Sequence, residues 1–61
     1  MTPDLSRAAR ALLGWDQARL AAESLVSISA IRNFERGAGQ MTPANRAALC
    51  RAIEAAGLCI L

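Results

Sequence analysis

Residues 17–37 read QARLAAESLVSISAIRNFERG, two short apolar-faced segments separated by a brief break. Gln17 to Ser24 carries Leu20 and Ala21 as a short apolar face, with Asp16 placed to cap the helix start. Ser27 is a second cap, preceded by Val26, and Ile28 to Arg36 continues helically with Ile31 and Phe34 on one side until Gly37 ends it. Two short helices with about three residues between them outline a helix-turn-helix over residues 17–36. That unit makes demands at particular positions. The close helix crossing needs a small residue, supplied by Ala21, beside a large apolar one, Leu20. The turn must drop an apolar side chain into the core, which Val26 can do. The second helix needs anchors along its inner face, which Ile31 and Phe34 provide.

The flanks are helical as well. Thr2-Pro3-Asp4 places a cap, a first-position proline and a carboxylate at a helix start. Leu5, Ala8, Ala9 and Leu12 follow as one apolar stripe, and Gly14 stops the helix, which is expected over residues 3–13. Thr42-Pro43 repeats the cap-and-proline start. Ala48, Leu49, Ala52, Ile53 and Ala56 mark a further helix ended by Gly57, after a loop at Ala38-Gly39-Gln40-Met41. Residues 58–61, Leu-Cys-Ile-Leu, form a short apolar tail. No segment alternates with period two over a useful length. The expectation is one all-α unit over 1–61, compact, with four or five short helices.

Sixty-one residues leave room for one small core. With Trp15 and Phe34 as the only aromatics, that core must be built from Ala, Leu, Ile and Val, and Trp15 reads as a large plug just before the second helix. A fold this small is marginal, so self-association is expected to help it. No apolar run approaches the ~20 residues of a membrane span, and no secretory signal opens the chain. Cys50 and Cys59 lack a CxxC arrangement and histidine is absent, so they read as reduced, cytoplasmic thiols and small apolar fillers rather than metal ligands.

An enzyme is not expected. There is no His, Lys or Tyr for acid–base work, and Asp4, Asp16, Glu23, Glu35 and Glu54 are scattered. No phosphate loop, nucleophile elbow or metal set is present, and no cofactor is implied. The seven basic residues, all arginine, exceed the five acidic ones by only two, too little to identify a nucleic-acid binder by charge alone.

The stretch WDQARLAAESLVSISAIRNFERG, residues 15–37, resembles the phage-repressor and Cro type of helix-turn-helix, often called XRE-type. Trp15-Asp16-Gln17, Leu20-Ala21, Val26-Ser27, Ile31 and Phe34-Glu35-Arg36-Gly37 carry the likeness. The opening RAARALLGW and the ending NRAALCRAIEAAGL extend it to nearly the whole chain, in the manner of the short bacterial members. The turn departs from the pattern. Where the family usually has glycine, one residue before Val26, this chain has Leu25. A Cβ at positive φ costs about 1 kcal/mol or more. Leu25 is therefore either a strained turn, a reshaped turn, or an exposed apolar residue offered to a partner.

The resemblance implies a lambda-repressor-like domain that regulates transcription, as a repressor, by reading double-stranded DNA in a sequence-specific way. The helix at about 28–36 would enter the major groove. Its exposed positions are Ile28, Ser29, Arg32 and Asn33. Arg32 suits guanine O6 and N7, Asn33 suits adenine N6 and N7, Ile28 suits a thymine methyl, and Ser29 suits several base edges. Gln17, at a helix start, is implied to hold a phosphate, as are Thr42, Asn45 and Arg46 at another and Arg36 after them. Arg10 and Glu35 are implied to form an internal ion pair that orients the recognition helix. A homodimer reading an inverted repeat, its half-sites about 34 Å apart, follows from one such unit per half-site; the 58–61 tail either makes its contact together with the last helix or folds back on its own unit. The alternative is an interaction module, an antitoxin or anti-activator whose main partner is a toxin or activator protein; Leu25 and the small net charge keep it open.

Overall fold

The computed structural model describes residues 1–38 and 40–58. Four helices follow in order: α1 (Pro3–Leu13), α2 (Gln17–Ser24), α3 (Ile28–Glu35) and α4 (Pro43–Ala55). There is no strand among the described residues. Every helix starts on a residue whose side chain accepts an amide of the first turn. Thr2 takes Leu5 N, Asp16 takes Arg19 N, Ser27 takes Ala30 N and Thr42 takes Asn45 N. Each such cap satisfies an otherwise orphaned donor and contributes about 1 kcal/mol. The third helix stops at Glu35, one residue earlier than expected, because Arg36 leaves the helical region and serves as its C-cap.

α2 packs on both α3 and α4, and α1 packs on α3. Leu20, Ile31, Leu49 and Ile53 are fully buried, with Val26, Phe34, Met41 and Ala9 around them. Each large aliphatic side chain removed from water contributes about 1.5–3 kcal/mol before chain entropy is subtracted. Trp15 is half-buried against this cluster, and Arg19 stacks over its ring at 5.2 Å from the centroid. Met41, expected in a loop, is a core residue.

The face that α1 buries differs from the expected apolar stripe. Leu12 is 75% exposed, and Leu5 and Ala8 also face outward. The inward residues are Ser6 and Ala9, with Arg10 and Leu13 half-buried beside them. α1 turns a partly polar face inward because Ser6 and Arg10 both bond to the buried Glu35 of α3.

Of the apolar tail, Leu58 is half-buried against its own core, and its amide donates to Ile53 O at 3.3 Å. Cys59 and the rest of the tail, with the dimer contact expected there, lie outside the described residues. Cys50 sits half-buried on α4.

The turn between α2 and α3 is tight and strained. Leu25 closes α2 at φ 62° and ψ 21°, the only described non-glycine residue at positive φ, and its side chain is 92% exposed. Ser24 stabilises the turn from inside. Its hydroxyl donates to Leu20 O at 2.7 Å and accepts Val26 N at 3.3 Å. Leu25→Gly is expected to raise stability by roughly 1 kcal/mol, a Tm rise of about 4–8 °C at this size. Leu25→Ala keeps the Cβ and should leave the Tm nearly unchanged. Thermal melts of both variants separate the backbone strain from the exposed side chain.

Candidate nucleic-acid interface

The α2–α3 pair fixes the outer face of α3. Ile31, Phe34 and Glu35 are buried, so Ser29, Arg32, Asn33 and Arg36 are exposed on the other side, with Ile28 half-buried at the margin. Ser27 holds the N-terminus of this helix and leaves the outer face free of capping duties.

Beside α3 lies a groove of about 250 Å³, floored by Ala30, Phe34 and Met41 and rimmed by Asn33, Gln40, Thr42 and Asn45. The groove joins the outer face of α3 to the start of α4. It brings Asn33 together with Thr42 and Asn45. Thr42 also caps α4 with its hydroxyl, and Arg46 follows Asn45 half-buried on the first turn.

Charge is distributed unevenly. Arg7 pairs with Asp4, Arg19 with Glu23 at 2.7 Å, and Arg10 with Glu35 at 2.7 Å. Arg32, Arg36, Arg46 and Arg51 form no ion pair with any carboxylate of the described residues, and all four lie on α3 and α4 or at the end of α3. Up to Ser27, Arg7, Arg10 and Arg19 balance Asp4, Asp16 and Glu23. The whole net charge of +2 therefore arises from residue 28 onward.

Behind α3 is a buried polar cluster centred on Glu35, which is 3% exposed. Its carboxylate accepts from Ser6 Oγ at 2.6 Å, Arg10 Nη2 at 2.7 Å, Arg10 Nε at 2.9 Å and Gln17 Nε2 at 3.1 Å. Arg7 donates to the Glu35 carbonyl, and Arg10 Nη1 to the Trp15 carbonyl at 3.2 Å. The cluster ties α1 and the start of α2 to the last turn of α3. Gln17 thus faces Glu35 with one N–H. Its amide carries a second N–H, so the same side chain can hold the carboxylate and donate outward to a phosphate. Arg36 is engaged too, donating from Nη2 to Asn33 Oδ1 at 2.8 Å. Ser6 and Gln17 were not legible as partners of Glu35. The available signal was that Ser6 and Arg10, four apart, share one helix face.

Burial pushes the Glu35 carboxyl up, but hydrogen bonds from Arg10, Ser6 and Gln17 and the Arg10 charge outweigh it and hold the group below its ordinary value. The hydrogen bond to Glu35 raises Arg10 in turn. Because the folded carboxylate binds its proton less readily than the unfolded one, stability rises with pH across the interval between the two values. The contribution is complete above the ordinary glutamate value of about 4.3 and is lost as pH falls below it. Urea midpoints measured from pH 7 to pH 3 should fall in this acid range, and Glu35→Gln should flatten that part of the profile.

A family model described as Helix-turn-helix matches residues 7–54, which takes in all of α2 and α3 and most of α1 and α4. No curated protein and no solved structure matches the chain. Among the described residues no helix is long and apolar enough to cross a membrane, and no group of acidic or thiol side chains is placed to hold a metal ion. The matched span, the four-helix arrangement and the cationic face of α3 agree, and the chain belongs to the phage-repressor and Cro type of helix-turn-helix family, a family of DNA-binding regulators.

Proposed function

We propose that the protein is a sequence-specific repressor that binds an inverted repeat in double-stranded DNA as a homodimer. In this reading α3 lies in the major groove. Ile28, Ser29, Arg32 and Asn33 face base edges, while Gln17, Thr42, Asn45 and Arg46 hold the flanking backbone. The observation that carries it is the segregation of unpaired arginines onto α3 and α4 while the remaining arginines pair with acids. A solvated surface with no anionic partner needs no such division.

One unit spans a half-site, and two related by a two-fold axis would address half-sites about 34 Å apart. Selection of bound sequences from a random duplex pool tests this directly. An enriched inverted repeat whose affinity falls steeply between two salt concentrations is the expected result. Weak binding without enrichment would overturn it.

Two exposed leucines favour a second reading, an interaction module for a toxin or activator protein. Leu12 is 75% and Leu25 92% exposed, apolar surface that a protein partner would cover. Sequence-selective binding by the purified chain alone distinguishes the first reading from this one.

A further inference from the structure

The geometry points to Arg36 as a specificity-determining positioning residue: by holding Asn33 Oδ1 it turns the Asn33 NH₂ toward a base and sets a guanidinium beside it, a pair that selects guanine over adenine. This inference rests on the proposed DNA reading of α3 and changes the base assigned to Asn33.

Arg36 Nη2 lies 2.8 Å from Asn33 Oδ1, three residues back on the same exposed face. A guanidinium carries donors only, so the carboxamide has one way to meet it, oxygen first. The orientation of the Asn33 amide is thereby fixed, and its NH₂ is the end left wholly free for a base. Adenine recognition by asparagine uses both ends of the amide. The oxygen accepts from N6 while the nitrogen donates to N7. With Arg36 on one lone pair of the oxygen, the N6 donor must share that acceptor with a guanidinium N–H and sit against its positive charge. Cytosine N4 meets the same obstacle. Guanine places two acceptors side by side, O6 and N7, against an NH₂ that carries two hydrogens. The pair thus favours guanine.

Arg36 is suited to this role by its place in the fold. It is the C-cap of α3, where its backbone leaves the helix and its amide bonds back to the Arg32 carbonyl at 3.2 Å. A cation at that end also complements the helix dipole, which favours a side chain lying back along α3.

The test is duplex selection with the wild-type chain, Asn33→Ala and Arg36→Met. The base pair read by Asn33 is the one whose preference disappears in Asn33→Ala. Wild type should select guanine there, and Arg36→Met should move that position toward adenine by roughly tenfold. Thermal melts should show both variants folded, since both residues are exposed. If the Asn33 position selects adenine in the wild type, or stays guanine in Arg36→Met, the inference is overturned while the DNA reading stands. An unchanged base preference with a shallower salt dependence in Arg36→Met would place Arg36 on a phosphate and likewise overturn it. If Asn33→Ala alters no position of an enriched site, Asn33 reads no base and the inference fails. Absence of any enriched site with the wild-type chain would overturn the DNA reading and this inference together.

Discussion

Glu35→Ala is expected to destabilise the protein by about 3–5 kcal/mol, the cost of leaving a buried charge without its partner. A chain of 61 residues at typical values per residue is stable by only about 3–9 kcal/mol. The variant should therefore lose a third or more of its stability, with circular dichroism showing a much lower melting transition that vanishes if the wild type lies at the bottom of this range. The magnitude follows from what the carboxylate serves. Ser6, Arg10 and Gln17 all donate to it, and Ser6 is fully buried. Removing Glu35 strands a buried hydroxyl and a half-buried guanidinium at once.

The same reasoning predicts an asymmetry. Glu35→Gln preserves shape and an acceptor, and should cost less than alanine. Arg10→Met combined with Glu35→Met removes both charges and should recover part of the loss, because a buried pair offers little net stability over apolar side chains of similar volume. If the double variant is no more stable than Glu35→Ala, the loss comes from the stranded Ser6 and Gln17 donors more than from the unpaired charge. The cluster joins α1 to the end of α3 through Ser6, Arg7 and Arg10. What it secures is the angle of α3, and so the presentation of its outer face.

The parts of this architecture that are local were legible in the amino-acid order. Thr2, Asp16, Ser27 and Thr42 each cap the helix they precede, because the cap and its acceptor amide lie within three residues. The outer face of α3 was legible for the same reason, since Ile31 and Phe34 are spaced to face inward and leave Arg32 and Asn33 outside. Periodicity misreads α1 because the inner face of that helix is set by a carboxylate 25 to 29 positions away. An apolar stripe selects Leu5 and Leu12, whereas the buried positions answer to Glu35 and include a serine. Met41 is similar: a loop has no period to announce that one of its side chains completes a core. Ser24 looks like a solvent residue but is engaged on both sides of the Leu25 turn. Ion pairing was the other missing layer. Net charge does not say where the free cations lie: Arg7, Arg10 and Arg19 are paired with acids, and the arginines without such a partner among the described residues are Arg32, Arg36, Arg46 and Arg51.

Arg32→Ala is expected to weaken binding to the selected site by about 1–3 kcal/mol, on the order of 5- to 150-fold, with little change in Tm. The Tm should hold because the Arg32 side chain is exposed, makes no ion pair with a described residue, and lies in a helix where alanine is favoured. Affinity should fall because this guanidinium stands on the outer face of α3, unlike Arg36, which is occupied by Asn33. Two signatures define how it acts. A fork seated on guanine O6 and N7 predicts loss of preference at one base pair, an unchanged salt slope, and failure of Arg32→Lys to restore selectivity, since an ammonium lacks the planar fork. A phosphate contact predicts a uniform loss over all sequences, a salt slope shallower by about one, and substantial rescue by lysine. Titrations of wild type, Arg32→Ala and Arg32→Lys against the selected duplex and a single-base variant, at two salt concentrations, separate these. The exposed position on α3, with a guanidinium that pairs with no acid of the described residues, leaves Arg32 free for either contact. Equal affinity of all three proteins for both duplexes would remove Arg32 from the interface and, with it, the strongest single contact that the proposed DNA reading assigns.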